Sequence, residues 1–192
     1  MQVVLEDHTA DPEYRIGLSA SECYDSKTER EACLKRAAHC VSSSHLATLR
    51  FAYATVRVSD ISRVCSHQLV RVAHAGILQR SQRYVKETHV KYIDPPSLAN
   101  VSEADICEWK QIQERATQLY LHLVDTRQMK KEDARYILPQ GCSTSLRFCL
   151  NFQGWCDLLN NRDSNHAQWE SRDVAQEIRR LLIGIAPGIF TK

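Results

Sequence analysis

The residues best suited to chemistry fall in two stretches. The first runs Ser62-Arg63-Val64-Cys65-Ser66-His67-Gln68-Leu69-Val70-Arg71 and resumes at Gln79-Arg80-Ser81-Gln82-Arg83-Tyr84. Arg71, Arg80 and Arg83, with Gln68, Gln79 and Ser81, are the right types to surround an anion, because a planar guanidinium donates two parallel hydrogen bonds to a phosphate. A solvated Arg-rich loop has the same composition, so both readings stand. The second stretch holds Asn151-Phe152-Gln153, Asp157, Asn160-Asn161-Arg162 and His166-Ala167-Gln168-Trp169-Glu170. Asn and Arg can read the edge of a pyrimidine ring, whose carbonyls accept and whose N3–H donates. The competing reading is a plain helix-to-helix loop with His166 capping the next helix.

Other site chemistries find little support. There is no G-x-G-x-x-G, no G-x-x-x-x-G-K-[ST] and no G-x-S-x-G, so Gly-rich phosphate cradles are excluded. His67 and His74 lie near Ser81 in sequence, but proximity along the chain does not make a triad. Cys23, Cys33, Cys40, Cys65, Cys107, Cys142, Cys149 and Cys156 form no C-x-x-C pair, which leaves them as small, reduced, buried apolar residues.

The elements that must position these residues can be read from periodicity. A helix is expected from Thr28 to Cys40, with Thr28 and Glu31 as a capping box. Phe51 to Val58 is rich in β-branched and aromatic residues and predicts a strand covered on both faces. A helix from Ile61 to Ala73 and a strand from Thr88 to Ile93 follow. The longest helix spans Glu103 to Thr126, capped by Ser102 and Asp105, and its stripe Ile106, Trp109, Ile112, Ala116, Tyr120 and Leu123 is expected in the core. Ser145 to Leu150 alternates as a short strand. Helices from Phe152 to Asn161 and from Ala167 to Ile183 complete the chain, the last with Ala167, Val174, Ile178 and Leu181 inward and stopped by Gly184 and Pro187.

Composition bounds the rest. The chain has 192 residues, 25 Lys+Arg against 23 Asp+Glu, a net charge of +2 and 43% hydrophobic residues. These values exclude a disordered or collagen-like chain and fit a single globular domain over residues 1–192. So small a net charge selects no nucleic acid partner, and any basic site must arise by local clustering. No run of about 18 apolar residues and no leader-like opening are present, so a cytoplasmic protein without a membrane partner is expected.

Four segments in order carry a family resemblance: Ile61-Ser62-Arg63 leading to His67-Gln68-Leu69-Val70-Arg71, then Ser81-Gln82-Arg83-Tyr84, then Lys131-Glu132-Asp133-Ala134-Arg135-Tyr136-Ile137-Leu138-Pro139, and, sharpest, His166-Ala167-Gln168-Trp169-Glu170. The chain from His8 to Phe190 resembles the flavin-dependent thymidylate synthases. The resemblance implies an α/β (α+β) domain, a mixed sheet with helices, assembled as a homotetramer with sites at subunit interfaces. It implies transfer of a one-carbon unit from methylenetetrahydrofolate to C5 of deoxyuridylate, with FAD as cofactor and NADPH as the source of electrons. Gln68, Arg71, Gln79, Arg80, Ser81, Gln82, Arg83, Arg135 and Arg162 match nucleotide-binding positions. Arg71, Asn151, Gln153, Asp157 and His166 fall on the cofactor side. Arg162 matches the arginine that polarises the uracil ring and is the implied catalytic residue.

The chain departs from the family pattern on one side. The signature Arg-His-Arg reads Arg71-Val72-Ala73, the following Ser is Gly76, and the Asn and Glu after it are Leu78 and Gln79. The usual Glu-His before the first strand is Arg50-Phe51, the Arg of Asn-x-Arg is Gln153, and a nearby Asn or His is Asp157. Nucleotide-side residues persist while flavin-side residues are replaced. Three functions follow: thymidylate synthesis with flavin; a flavin-free 5-hydroxymethylation of a pyrimidine nucleotide, with Asp157 suiting cytosine as well as uracil; and a nucleotide-binding homologue without catalysis.

Overall fold

The computed structural model describes residues 1–191. Its first element, β1 (Gln2–His8), leads into α1 (Pro12–Ser21) and α2 (Arg30–Ser42). These helices pack closely because Gly17 has no side chain: a Cβ there would collide with the Cys33 carbonyl and lie 2.9 Å from the Cys33 Cα. A 3-10 helix (Leu46–Phe51) then enters β2 (Tyr53–Ser62), which runs into α3 (Arg63–Leu69) and β3 (Gly76–Gln79). After a long connection come α4 (Glu103–Asp125) and α5 (Lys131–Ala134), then β4 (Ser143–Asn151), α6 (Phe152–Arg162), α7 (Trp169–Ile183) and α8 (Pro187–Phe190). The strands form one antiparallel sheet in the order β1-β2-β4-β3.

The sheet is covered on one face only. Ala54, Val56 and Val58 of β2 pair with Leu150, Phe148 and Leu146 of β4, and all six are buried against α6 and α7. The alternate residues carry Arg57 and Arg147, both paired with Glu6 of β1. The expectation of a strand buried on both faces is therefore corrected: apolar and polar residues alternate with the pleat, and Phe51 and Tyr53 stay exposed. The residue after Ser59 is a bulge at which Asp60 takes a left-handed φ of 56°, and the strand then turns both Ile61 and Ser62 into the interior.

Other boundaries shift for local reasons. Residue Glu29 occupies the N-cap of α2, without a side-chain bond, so the Thr28–Glu31 capping box does not form. Residues 88–93 make no strand; Tyr92 forms one isolated bridge to Cys142. Of the eight free cysteines, Cys23, Cys107 and Cys149 are exposed rather than buried, whereas burial pushes the Cys142 and Cys156 thiols up to about 11.

Helix α4 differs most from expectation. Ser102 caps it, accepting from the Asp105 amide at 3.2 Å. Yet of the apolar stripe only Tyr120 is buried, while Trp109 and Ile112 are 41% and 56% exposed. The helix is tied to the chain by Asp94, which accepts from Trp109 Nε1 at 3.0 Å, from Gln113 Nε2 at 3.1 Å and from Lys110. Burial alone would push the Asp94 carboxyl up, but these donors and the Lys110 charge outweigh it and hold it below its ordinary 3.8. A depressed carboxyl stabilises the fold above its unfolded value and loses that contribution as pH falls through the folded one. Asp94→Asn should therefore cost about 1 kcal/mol at neutral pH, and its urea unfolding curve should converge with the parent's as pH falls below the carboxyl's ordinary 3.8.

Candidate functional site

A cavity of about 600 Å³ opens between the end of α3, the turn that follows it and the outer face of α6. Local structure fixes both walls. On one side, Ser62 caps α3 by accepting from the Cys65 amide at 3.0 Å. The buried Glu170 carboxylate receives the Ser62 amide at 2.7 Å and the Ser62 hydroxyl at 2.5 Å, so the His166–Glu170 segment clamps the start of α3. That clamp fixes where Gln68 and Arg71 emerge. On the other side, Asn151 caps α6 by accepting from the Gly154 amide at 2.9 Å. Trp155, Leu158 and Leu159 bury the inner face of α6, which turns Gln153, Asp157 and Arg162 toward the cavity.

The cavity brings together Gln68, Arg71, Asn151, Gln153, Asp157 and Arg162, drawn from both stretches singled out in the sequence. It also holds Arg50 and His74. His74, in a left-handed turn (φ 56°), and Arg50, more than a hundred residues from its hydrogen-bond partner Gln153, lack any local pattern that marks them. Among the cavity residues the arginines Arg50, Arg71 and Arg162 face a single carboxylate, Asp157, so the wall is cationic. Such a surface suits a phosphate and the carbonyl edge of a base.

The remaining candidates lie elsewhere. Gln79 donates to Ser66 Oγ at 3.1 Å and to Thr144 Oγ1 at 3.3 Å. Arg80 pairs with the buried Glu87 at 2.5 and 2.6 Å. Arg83 pairs with Glu132, its amide donates to Ser81 Oγ at 3.2 Å, and Arg135 Nε donates to the Glu132 carbonyl at 3.1 Å. Arg63, absent from the expected set, joins them: burial, then the neighbouring Arg135, lowers its affinity for a proton, with Arg80 acting in the same sense. These form a second basic cluster, outside the cavity. Gln82 is turned inward and 4% exposed, with no hydrogen-bond partner for its amide nitrogen among the described residues. His166 is exposed outside the cavity, and Gln168, not His166, caps α7 by accepting from the Ser171 amide at 2.9 Å. Among the described residues no group of three His, Cys, Asp or Glu could hold a metal, and no helix is long and apolar enough to cross a membrane.

The family model described as "Thymidylate synthase complementing protein" matches residues 4–188. A flavin-dependent thymidylate synthase of Geobacter sulfurreducens is 34% identical over 204 residues, covering 99% of this chain and 85% of the relative. One from Mycobacterium marinum is 30% identical, covering 91% of this chain and 77% of its own. In fold, the chain resembles the crystal structure of a flavin-dependent thymidylate synthase from Helicobacter pylori complexed with FAD and dUMP, with a TM-score of 0.78, 20% identity and coverage of 99% and 98% of the two chains. With its matching segments spread from α3 to α7 and this coverage, the chain belongs to the flavin-dependent thymidylate synthase family.

Proposed function

We propose that this chain makes thymidylate from deoxyuridylate, taking the carbon from methylenetetrahydrofolate, with FAD as cofactor and NADPH as electron source. The observation that carries the reading is the convergence of Gln68, Arg71 and Arg162 on one cavity. Uracil C5 is a weak nucleophile. A guanidinium at the O2/N3 edge stabilises the negative charge that develops as C5 attacks, and Arg162, half-buried at the end of α6, is placed to supply it. Arg71 and Gln68, fixed by the Ser62–Glu170 clamp, hold and orient the nucleotide.

The donor set also fits a dinucleotide cofactor: three guanidinium groups and the amides of Asn151 and Gln153 line a space larger than one mononucleotide needs. When bound, the flavin supplies the two-electron chemistry that turns the transferred carbon into a methyl group. Arg50, Asn151 and Gln153 are the residues that would hold it, and Arg71 would serve both cofactor and nucleotide.

The second basic cluster, Arg63, Arg80, Arg83 and Arg135, is not part of the cavity lining of its own chain. A homo-oligomer, a tetramer by family likeness, would bring that cluster of one copy to the cavity of another. The uncovered Trp109, Ile112 and Leu119 of α4 and Tyr136 supply the apolar surface such an assembly buries.

The test is incubation of the protein with deoxyuridylate tritiated at C5, methylenetetrahydrofolate, FAD and NADPH. Release of tritium with thymidylate as the product by mass is the expected result; binding of the nucleotide without release would overturn it. A second reading, flavin-free 5-hydroxymethylation, draws on Val72 and Ala73, which present apolar groups to the cavity wall. It would appear as a hydroxymethyl product made by colourless protein.

A further inference from the structure

One cation of the cavity, Arg50, lies outside the nucleotide-binding set proposed above. Arg50 lies in the last turn of the 3-10 helix Leu46–Phe51, between Leu49 and Ala52, which bracket it closely in sequence and are each 1% exposed. Its backbone is thus held by the core while its side chain projects into the cavity. Its Nε donates to Gln153 Oε1 at 2.7 Å. That bond fixes the direction of the guanidinium but leaves its charge whole, because an amide is neutral. No ion pair and no hydrogen bond from its terminal nitrogens occurs among the described residues. A cation oriented by a neutral partner and facing an open cavity is arranged to take an anion from outside.

The sequence adds a second observation. By the family resemblance, Gln153 stands where an Arg is expected and Arg50 where a Glu is expected. The structure shows these two positions touching across the cavity. We infer that the guanidinium has moved from α6 to the facing 3-10 helix, and that Arg50, positioned by Gln153, binds the pyrophosphate of FAD. The inference rests on the proposed function for the identity of the ligand. Gln153 acts through Arg50 and is a positioning residue.

The test reads binding, not turnover. FAD and riboflavin, which lacks the pyrophosphate, are titrated separately into the full-length protein by quenching of flavin fluorescence, with calorimetry of deoxyuridylate as a control on folding. Arg50→Gln should weaken FAD about 10- to 100-fold, with riboflavin and deoxyuridylate affinities nearly unchanged. Adding Gln153→Arg to Arg50→Gln returns the charge to α6 and should restore most of the FAD affinity. Unchanged FAD binding in Arg50→Gln, or equal losses for FAD and riboflavin, would overturn the assignment and leave the proposed function standing. Wild-type protein that binds deoxyuridylate and no FAD would overturn both.

Discussion

Replacing Arg162 by Ala should lower tritium release from deoxyuridylate by about 10²- to 10³-fold, the usual cost of losing one preorganised donor at a developing negative charge. The ion pair beside it offers no compensation. Arg162 closes α6 with its side chain half-buried in the cavity wall. Its neighbour Asp163 is already bound by Arg179 at 2.6 Å, so that carboxylate does not quench the Arg162 charge and Arg179 is not free to replace it. Arg162→Lys should recover only part of the loss, because an ammonium keeps the charge but not the planar fork that matches a carbonyl and an adjacent ring nitrogen. Release at the parental rate in Arg162→Ala would remove this role.

Trp155→Ala should be the most destabilising single change in the chain, at about 3–5 kcal/mol. The indole is completely buried between sheet and helix, stands edge-on to Phe148 at 6.3 Å and donates to the Ala54 carbonyl at 3.1 Å. Thermal unfolding should fall by about 10 °C for a chain of this size. Trp155→Phe should cost less, since it keeps most of the volume and loses chiefly the hydrogen bond. Because Trp155 faces the core on the same helix that presents Gln153, Asp157 and Arg162 to the cavity, the Ala variant should also lose deoxyuridylate affinity at temperatures where it remains folded. Retained stability in a urea titration would show that α6 is not pinned by this residue.

How much of this was legible in the sequence depends on how local the cause is. The alternation Leu146, Phe148, Leu150 announces a strand and the residues after it a helix, and β4 and α6 form there. The strand β3 was not legible: it has four residues, Gly76–Gln79, and exists because β4 offers it an edge. The stripe on α4 was read correctly as one face and wrongly as core, because periodicity reports that a face is apolar and is silent on what covers it. The same distinction separates the site residues. Gln68, Arg71 and Arg162 sit in recognisable segments, whereas Arg50 acquires meaning only through a partner 103 positions away. His166 belongs to the sharpest segment of all, yet the members of that segment with a visible task are Gln168, which caps α7, and Glu170, whose carboxylate holds Ser62.

The absence of the second basic cluster from the cavity lining has a genetic corollary. One chain carries a whole copy of each, and the proposed assembly joins the two only between neighbours. Two inactive alleles, one altered at Arg162 and the other at Arg83, should then rescue each other when co-expressed, since some junctions of the hybrid collect two sound halves. A pair of alleles both damaged in α6 would have no such junction and would stay silent in every combination.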